Sequence, residues 1–111
     1  MVGGLEVRES VLEERVVLAP EELGLDTRNE FRREAFSRID HLRRGAGRLV
    51  IDLSATRSVD STGLGVLIMI QRRATRRRVH VTLRGVNEEL RFLLVLTKLA
   101  DLFELETTDS H

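Results

Sequence analysis

The chain has 111 residues with 18 basic and 18 acidic side chains, so its formal net charge is zero and no overall positive field attracts nucleic acid. It contains no cysteine, which excludes disulfides and zinc–thiolate sites, and its only aromatic residues are four Phe, too few for a base-stacking surface. The length predicts a single domain over residues 1–111, and because no signal peptide and no bilayer-length apolar run is visible, we expect a cytoplasmic protein without membrane insertion.

The N-terminal third predicts a β-hairpin followed by a helix. Leu5–Arg8 alternates apolar and polar residues, and Val16–Ala19 is a second short apolar run that ends at Pro20. Asp26 or Thr27 is expected to cap the helix. The apolar residues that recur at helical spacing are Phe31, Ala35, Ile39 and Leu42.

A buried strand, a polar turn and a second helix come next. Gly45 and Gly47 are expected to end the first helix, and Arg48–Leu53 is apolar enough for a strand covered on both faces. The turn at Asp60 then opens the second helix. Its apolar positions are Leu64, Leu67, Ile68, Ile70 and Ala74.

The last third predicts a strand, a helix and a short final strand. Val79–Leu83 alternates until Gly85, Asn87 can cap the third helix, and Phe103–Glu106 is the final strand. The apolar positions of that helix are Leu90, Leu93, Leu94 and Thr97. Strands that alternate with helices indicate an α/β fold, with a mixed four- to five-stranded sheet, crossover helices and the N-terminal hairpin.

The polar turn carries the candidate functional residues. Asp60, Ser61 and Thr62 stand where a strand ends and a helix begins, an exposed position with backbone N–H groups suited to a phosphate. All three are also good helix-capping residues, so capping alone explains them. Gly63 and Gly65 form only a GxG, far short of a nucleotide-binding loop, and close helix–strand packing is the simpler explanation.

A catalytic serine is the third interpretation of the turn. A nucleophile elbow has glycine two residues before the serine, and here that residue is Val59. A general base is also required, and the only histidines are His41, His80 and His111, none of which the predicted elements place beside Ser61. The pattern therefore does not favour a hydrolase.

The stretch from Val59 to Gly65, Val-Asp-Ser-Thr-Gly-Leu-Gly after an apolar strand, resembles the signature of STAS domains, most closely the anti-sigma factor antagonists. The predicted element order matches that family over nearly the whole chain. In the family the serine directly after the aspartate is the regulatory phosphorylation site. The resemblance therefore implies that Ser61 is phosphorylated.

Two further segments carry the resemblance, and one departs from it. Leu25-Asp26 matches the family's aspartate at the start of the first helix, and Leu99–Phe103 is similar to its segment after the third helix. The family usually has Gly-Glu or Gly-Lys before Leu-Asp, whereas this chain has Leu23-Gly24. Many members also continue into a further helix; without it, a partner or a second copy of the chain would cover one face of the sheet.

The resemblance implies a partner switch rather than an enzyme. The unphosphorylated protein binds an anti-sigma factor that is also a serine kinase, the kinase phosphorylates Ser61, the complex dissociates, and a phosphatase resets the system. No cofactor, metal or direct nucleic-acid contact is implied. The implied partner-binding residues are Asp26, Asp60, Ser61, Thr62, Gly63, Leu64 and Gly65.

Two alternatives remain open within the same family. Some STAS domains are cytoplasmic accessory subunits that dock on the ATPase of phospholipid ABC transporters, often with threonine at the phosphosite; others are scaffolds of stress-sensing assemblies. Serine at position 61, with Gly65 retained, favours the sigma pathway.

An arginine cluster closes the second helix. It is interpreted as a solvated helix end, with binding of acidic partners or phospholipid head groups as the alternative. Its members are Arg72, Arg73, Arg76, Arg77 and Arg78.

Overall fold

The computed structural model of the chain describes residues 13–106. One sheet contains the strands β1 (Glu13–Leu18), β3 (Gly47–Asp52), β5 (Val79–Arg84) and β6 (Glu104–Leu105). A second, two-stranded sheet contains β2 (Glu22–Leu23) and β4 (Ser58–Val59). The helices are α1 (Arg28–Asp40), α2 (Ser61–Arg76), α3 (Glu88–Leu96) and a 3₁₀ helix at Leu99–Leu102.

The main sheet has the order β1-β3-β5-β6, and every described pair is parallel. Parallel neighbours need crossover connections, which α1, α2 and α3 provide, so the predicted α/β class is confirmed. The antiparallel strand that would make the sheet mixed was predicted at Leu5–Arg8, which lies outside the described residues. Because the strands run the same way, all their carboxyl ends meet at one edge of the sheet.

The hydrophobic core lies between one face of this sheet and the helices. Leu49 and Ile51 on the central strand are fully buried. The predicted face of α1 is confirmed, and α2 contributes apolar side chains from the same layer. The buried residues of these two helices are Phe31, Ala35 and Ile39 on α1 and Val66, Leu67, Ile70 and Ala74 on α2.

The opposite face of the sheet carries hydrogen-bonded and ion-paired polar side chains beside apolar ones. Arg84 Nε donates to Glu106 at 2.8 Å, and Thr82 Oγ1 donates to Glu104 at 3.1 Å. Val50 also lies on this face and is completely buried. Val16 and Leu18 of β1 share this face and are 39% and 68% exposed. That a partner or a second copy covers one face of the sheet therefore stays a prediction.

The first helix is shorter and differently capped than predicted. Thr27 occupies the N-cap position, but its hydroxyl donates to the Glu22 carbonyl at 2.7 Å instead of capping the helix. Asp26 does not cap it either. The helix ends at Asp40 rather than at the glycines, and Gly45 lies in the following turn at φ +80°. The β3 strand is also shifted by one residue from its predicted bounds.

The arginine cluster at the end of α2 is more than a solvated helix end. Arg73 pairs with Asp40 of α1 at 2.6 Å and stacks over the Phe36 ring at 4.7 Å. Its guanidinium lowers the pKa of the Asp40 carboxyl. Arg77 Nη2 donates to the Leu42 carbonyl at 3.0 Å. Two of the five arginines thus tie the C-terminal ends of α1 and α2 together, while Arg72, Arg76 and Arg78 are exposed.

Across residues 13–106, none of the helices combines the length and apolarity that crossing a bilayer would require.

Candidate functional site

The turn around Ser61 (the Ser61 turn, residues 59–63) lies at the carboxyl edge of the sheet. It is held there by the small β2–β4 sheet, in which Leu23 pairs with Val59. The Asp60 N–H continues this pairing by donating to the Leu23 carbonyl at 3.2 Å. Strands of two residues have no hydrophobic periodicity, so the sequence did not predict them.

Asp60 is the N-cap of α2. Its Oδ1 accepts a hydrogen bond from the Gly63 N–H at 2.9 Å and another from the Thr62 hydroxyl at 2.6 Å. The Thr62 hydroxyl, and after it the Gly63 N–H, lower the pKa of the Asp60 carboxyl. Helix capping alone explained Asp60, Ser61 and Thr62 from the sequence, and in the structure Asp60 is the residue that caps α2.

The Asp60 cap also changes the expectation for a phosphate. The turn was predicted to offer unoccupied N–H groups, but the Gly63 N–H is already bonded to a carboxylate. The positive end of the α2 dipole therefore has an anion in place. A second anion on Ser61 would stand beside a negative charge.

Two glycines let the turn pack against the β2 strand. A Cβ added to Gly63 would lie 2.2 Å from the Leu23 carbonyl oxygen, and one added to Gly24 would lie 2.4 Å from Asp60 Oδ2. Gly63 was predicted to serve helix–strand packing, and the strand that it packs against is β2. Gly65 was predicted to serve packing as well, but a Cβ there would meet no atom within 4 Å.

Ser61 itself is the first residue of α2 and is exposed. Within residues 13–106 its hydroxyl makes no side-chain hydrogen bond, in contrast to the hydroxyl of Thr62, which is committed to Asp60. Of the two adjacent hydroxyls, only that of Ser61 is free to react without breaking the cap.

A shallow depression of about 260 Å³ adjoins Asp60 and is called the Asp60 depression here. Its walls come from the β2–α1 connection and from β4. Leu25 is the large apolar side chain at this place and is 64% exposed. The lining residues are Glu22, Leu23, Gly24, Leu25, Asp26, Thr27, Ser58, Val59 and Asp60.

The structure separates the predicted site residues by their accessibility. Asp26, Asp60 and Ser61 are exposed, and they come together at the carboxyl edge although Asp26 is far from the other two in sequence. Gly63 is buried, so it shapes the site from inside. Thr62, Leu64 and Gly65 are half-buried, and Leu64 packs against the core.

Two residues of the site were missed by the sequence reasoning. Leu25 was quoted only as the neighbour of Asp26, yet its exposure makes it the apolar contact of the depression. Gly24 was treated as a departure from the family pattern, yet it makes room for the Asp60 carboxylate. The signal for both is the Leu-Gly-Leu-Asp run, in which a leucine follows a glycine immediately before an exposed aspartate.

No histidine of the described residues lies beside Ser61. With 16 residues α2 is about 24 Å long. His41 follows α1 beside the far end of α2, and His80 is near the start of β5, at the opposite edge of the sheet from Ser61. His111 lies outside the described residues. Within residues 13–106, no three His, Asp or Glu side chains come together as a metal site.

A family model described as "Mlab, STAS domain" matches residues 8–105. The chain belongs to the STAS-domain family. The predicted resemblance is thereby confirmed at the level of the family. No curated protein matches the sequence.

Solved structures with the same fold include an anti-sigma factor antagonist and a protein proposed to be one. A proposed one, TM1081 from Thermotoga maritima, is 25% identical with a TM-score of 0.69, over 84% of this chain and 80% of that one. The anti-sigma factor antagonist SpoIIAA, in its unphosphorylated form, is 14% identical with a TM-score of 0.62, over 86% of this STAS chain and 81% of its own.

The fold also occurs in a protein of a different kind. A sulfate transporter family protein from Wolinella succinogenes is 15% identical with a TM-score of 0.59, and the match covers 86% of this chain and 77% of that one. At such identities the likeness shows a shared STAS fold alone.

Proposed function

We propose that this STAS protein is an anti-sigma factor antagonist whose Ser61 turn binds a kinase-type anti-sigma factor and is released by phosphorylation of Ser61. The observation that carries the proposal is the difference between two adjacent hydroxyls, those of Ser61 and Thr62. The Thr62 hydroxyl is fixed on Asp60 at 2.6 Å, whereas Ser61 is exposed at the start of α2. The protein acts in this scheme as ligand and substrate, not as an enzyme.

The surface around Ser61 supports a protein partner. Leu25, 64% exposed, supplies an apolar contact, and Asp26 and Asp60 supply charges at the rim of the depression. Gly65, with open space where a Cβ would stand, lets another backbone approach the first turns of α2 closely. Apolar anchors surrounded by polar groups are the usual anatomy of a protein interface.

Phosphorylation would disrupt this surface through charge. A phosphoserine carries about −1.5 to −2 charges at neutral pH. Because Asp60 already occupies the Gly63 N–H, the new charge meets a like charge in a packed interface. Truncated or mismatched charges in buried interfaces cost about 2–5 kcal/mol of binding. The fold should survive, because Ser61 is exposed and no packed side chain depends on it.

The direct test is to incubate the protein with a serine-kinase anti-sigma factor from the same genome and ATP, and to map phosphate by mass spectrometry. Ser61 should carry it, Ser61→Ala should abolish it, and Thr62→Ala should retain it. Phosphate on Thr62 alone, or at a site remote from the turn, would refute the assignment.

Binding gives a second test with a matched control. Ser61→Asp should weaken binding of that kinase by about thirtyfold or more, which corresponds to about 2 kcal/mol. Ser37→Asp adds the same charge at an exposed serine of α1, away from the turn, and should bind as the parent does. Equal affinities for both variants would show that the Ser61 turn is not the interface.

The alternative is a transporter subunit, since the STAS fold also occurs in a sulfate transporter family protein, a likeness of fold alone. As an accessory subunit of a phospholipid ABC transporter, the protein would bind the transporter ATPase rather than an anti-sigma kinase. Co-purification with each candidate partner distinguishes the two.

A further inference from the structure

Helix α3 is apolar on its exposed side as well as on its buried side. Leu90 and Leu94 face the core. On the other side, Phe92 is 68%, Val95 59% and Leu96 66% exposed. A helix that is hydrophobic all round is normally covered on all sides.

The exposed residues of α3 form one surface, the α3 patch, defined as Phe92, Val95 and Leu96. They recur at intervals of three and four residues, so they share a helix face. By contrast, the exposed positions of α1 hold no large apolar side chain, and those of α2 hold only Met69.

The charges at the two ends of the patch are of opposite sign along the helix. Glu88 and Glu89 are exposed in the first turn, and Lys98 is exposed just beyond the last. A two-fold axis across the patch would lay two copies of α3 antiparallel, so that the acidic end of each meets the basic residue of the other. Two-fold interfaces require this kind of self-complementarity.

One register satisfies both the apolar and the charged residues. If Phe92 lies opposite Val95 of the second copy, Glu89 faces the C-terminal end of the other α3, where Lys98 follows the helix. The apolar side chains then occupy the centre and the charges the rim, as in a protein interface.

We infer that the α3 patch is a homodimer interface in which two copies of α3 pair antiparallel, with Glu89 of each copy facing Lys98 of the other. The inference is independent of the proposed function, because the patch does not include the Ser61 turn.

The oligomeric state tests the inference directly. Sedimentation velocity of the whole chain over a micromolar to submillimolar series should show concentration-dependent dimerisation. Phe92→Glu should raise the dimer dissociation constant at least tenfold. Leu18→Glu is the control, because Leu18 is equally exposed at 68% but lies on β1, outside the patch, and it should dimerise as the parent does. Circular dichroism spectra and melting curves establish that both variants are folded.

Charge reversal tests the register and does not depend on the Phe92 variant. Glu89→Lys and Lys98→Glu should each weaken the dimer, and the double variant should restore it towards the parent value. A parent that remains monomeric over the whole series, or a Phe92→Glu protein that dimerises like the parent, would overturn the interface. A double variant no better than the weaker single variant would overturn the antiparallel register.

The two proposals fail separately. Loss of dimerisation in Phe92→Glu with unchanged phosphorylation of Ser61 supports the α3 interface and leaves the partner switch intact. Loss of partner binding in Ser61→Asp with an unchanged dimer supports the partner switch and leaves the α3 interface intact.

Discussion

Gly63 and Gly65 lie two residues apart at the start of α2, and the space around them differs. Gly63 is pressed against the β2 strand, where a Cβ would lie 2.2 Å from a carbonyl oxygen, whereas Gly65 faces open space. The fold explains the first glycine and does not explain the second, since alanine is the better helix former. The inner side of the Ser61 turn is therefore built for packing, and its outer side is available for recognition.

The same division separates the polar residues of the turn. The Asp60 carboxylate accepts hydrogen bonds from the Thr62 hydroxyl and the Gly63 N–H, and Gly24 makes room for it. The side chains of Ser61 and Leu25 are exposed and take no part in these hydrogen bonds. Substitutions on the inner side should reduce stability, and those on the outer side should change binding.

The largest effect is expected for Gly63→Val. Its side chain would collide with the Leu23 carbonyl and with Val59 Cγ1, and backbone cannot yield cheaply. We expect the free energy of unfolding in urea to fall by about 3 kcal/mol. Gly45→Val is the control: no atom lies within 4 Å, but φ is +80°, so a smaller loss of about 1–2 kcal/mol is expected. Equal losses would contradict the packing role of Gly63.

Replacing Asp60 comes next in size. Asp60→Ala leaves the Gly63 N–H and the Thr62 hydroxyl without their shared acceptor, so the melting temperature should fall, though less than in Gly63→Val. Asp60→Asn retains the acceptor oxygen and should lose less. Thermal melts at neutral pH followed by circular dichroism measure all three. A parent-like melt of Asp60→Ala would show that the cap does not stabilise the turn.

Acid should weaken the same cap. The folded-state pKa of Asp60 is lowered, as are those of Asp40 beside Arg73 and Asp52 beside Ser54. Their stabilisation is therefore complete above the ordinary carboxyl pKa of about 4 and is lost as the pH falls through the lowered values. Urea midpoints measured between pH 7 and about pH 2 should fall in acid, and Asp60→Asn should reduce that slope. A slope identical to that of the parent would contradict the contribution of Asp60.

Gly65→Ala should act in the opposite sense on stability. Alanine inside a helix is about 0.5–1 kcal/mol more stable than glycine, and here it meets no neighbour. On the proposed function, the same methyl group obstructs the approach of a partner and weakens binding. Calorimetric titration of the anti-sigma kinase, together with urea unfolding, separates the two effects. A variant that is more stable and binds equally well would remove Gly65 from the interface.

The smallest effect on stability is expected for Ser61→Asp. An acidic group in the first turn of a helix is favourable to the dipole, but Asp60 opposes it, so a change of no more than a few tenths of a kcal/mol is expected. Urea unfolding measures it, and a loss above 1 kcal/mol would mean that Ser61 belongs to the inner, structural side of the turn.

The sequence by itself determined the class of the fold and the centre of the site. The helical spacing of Phe31, Ala35 and Ile39 and the apolar run of β3 predicted which side chains are buried. In a regular helix or strand the spacing of the apolar residues follows from the face that packs into the core. Asn87 was predicted as a cap, and its side chain accepts the Leu90 N–H at 2.7 Å. The Asp-Ser-Thr-Gly-Leu-Gly motif likewise located the start of α2, since capping chemistry is local.

Only the tertiary structure decided what each residue of the motif does. The two-residue strands β2 and β4, which bring Leu25 and Asp26 to Asp60, leave no periodic signal because their pairing joins segments distant in sequence. The turn after α1 is hydrogen-bonded by Arg77, which follows α2 and is distant in sequence, so the spacing of the glycines did not locate the end of the helix. The sequence did not show that the outer side of α3 is both apolar and exposed. Its leucines and phenylalanine look like core residues until the fold shows which of them face away from the sheet.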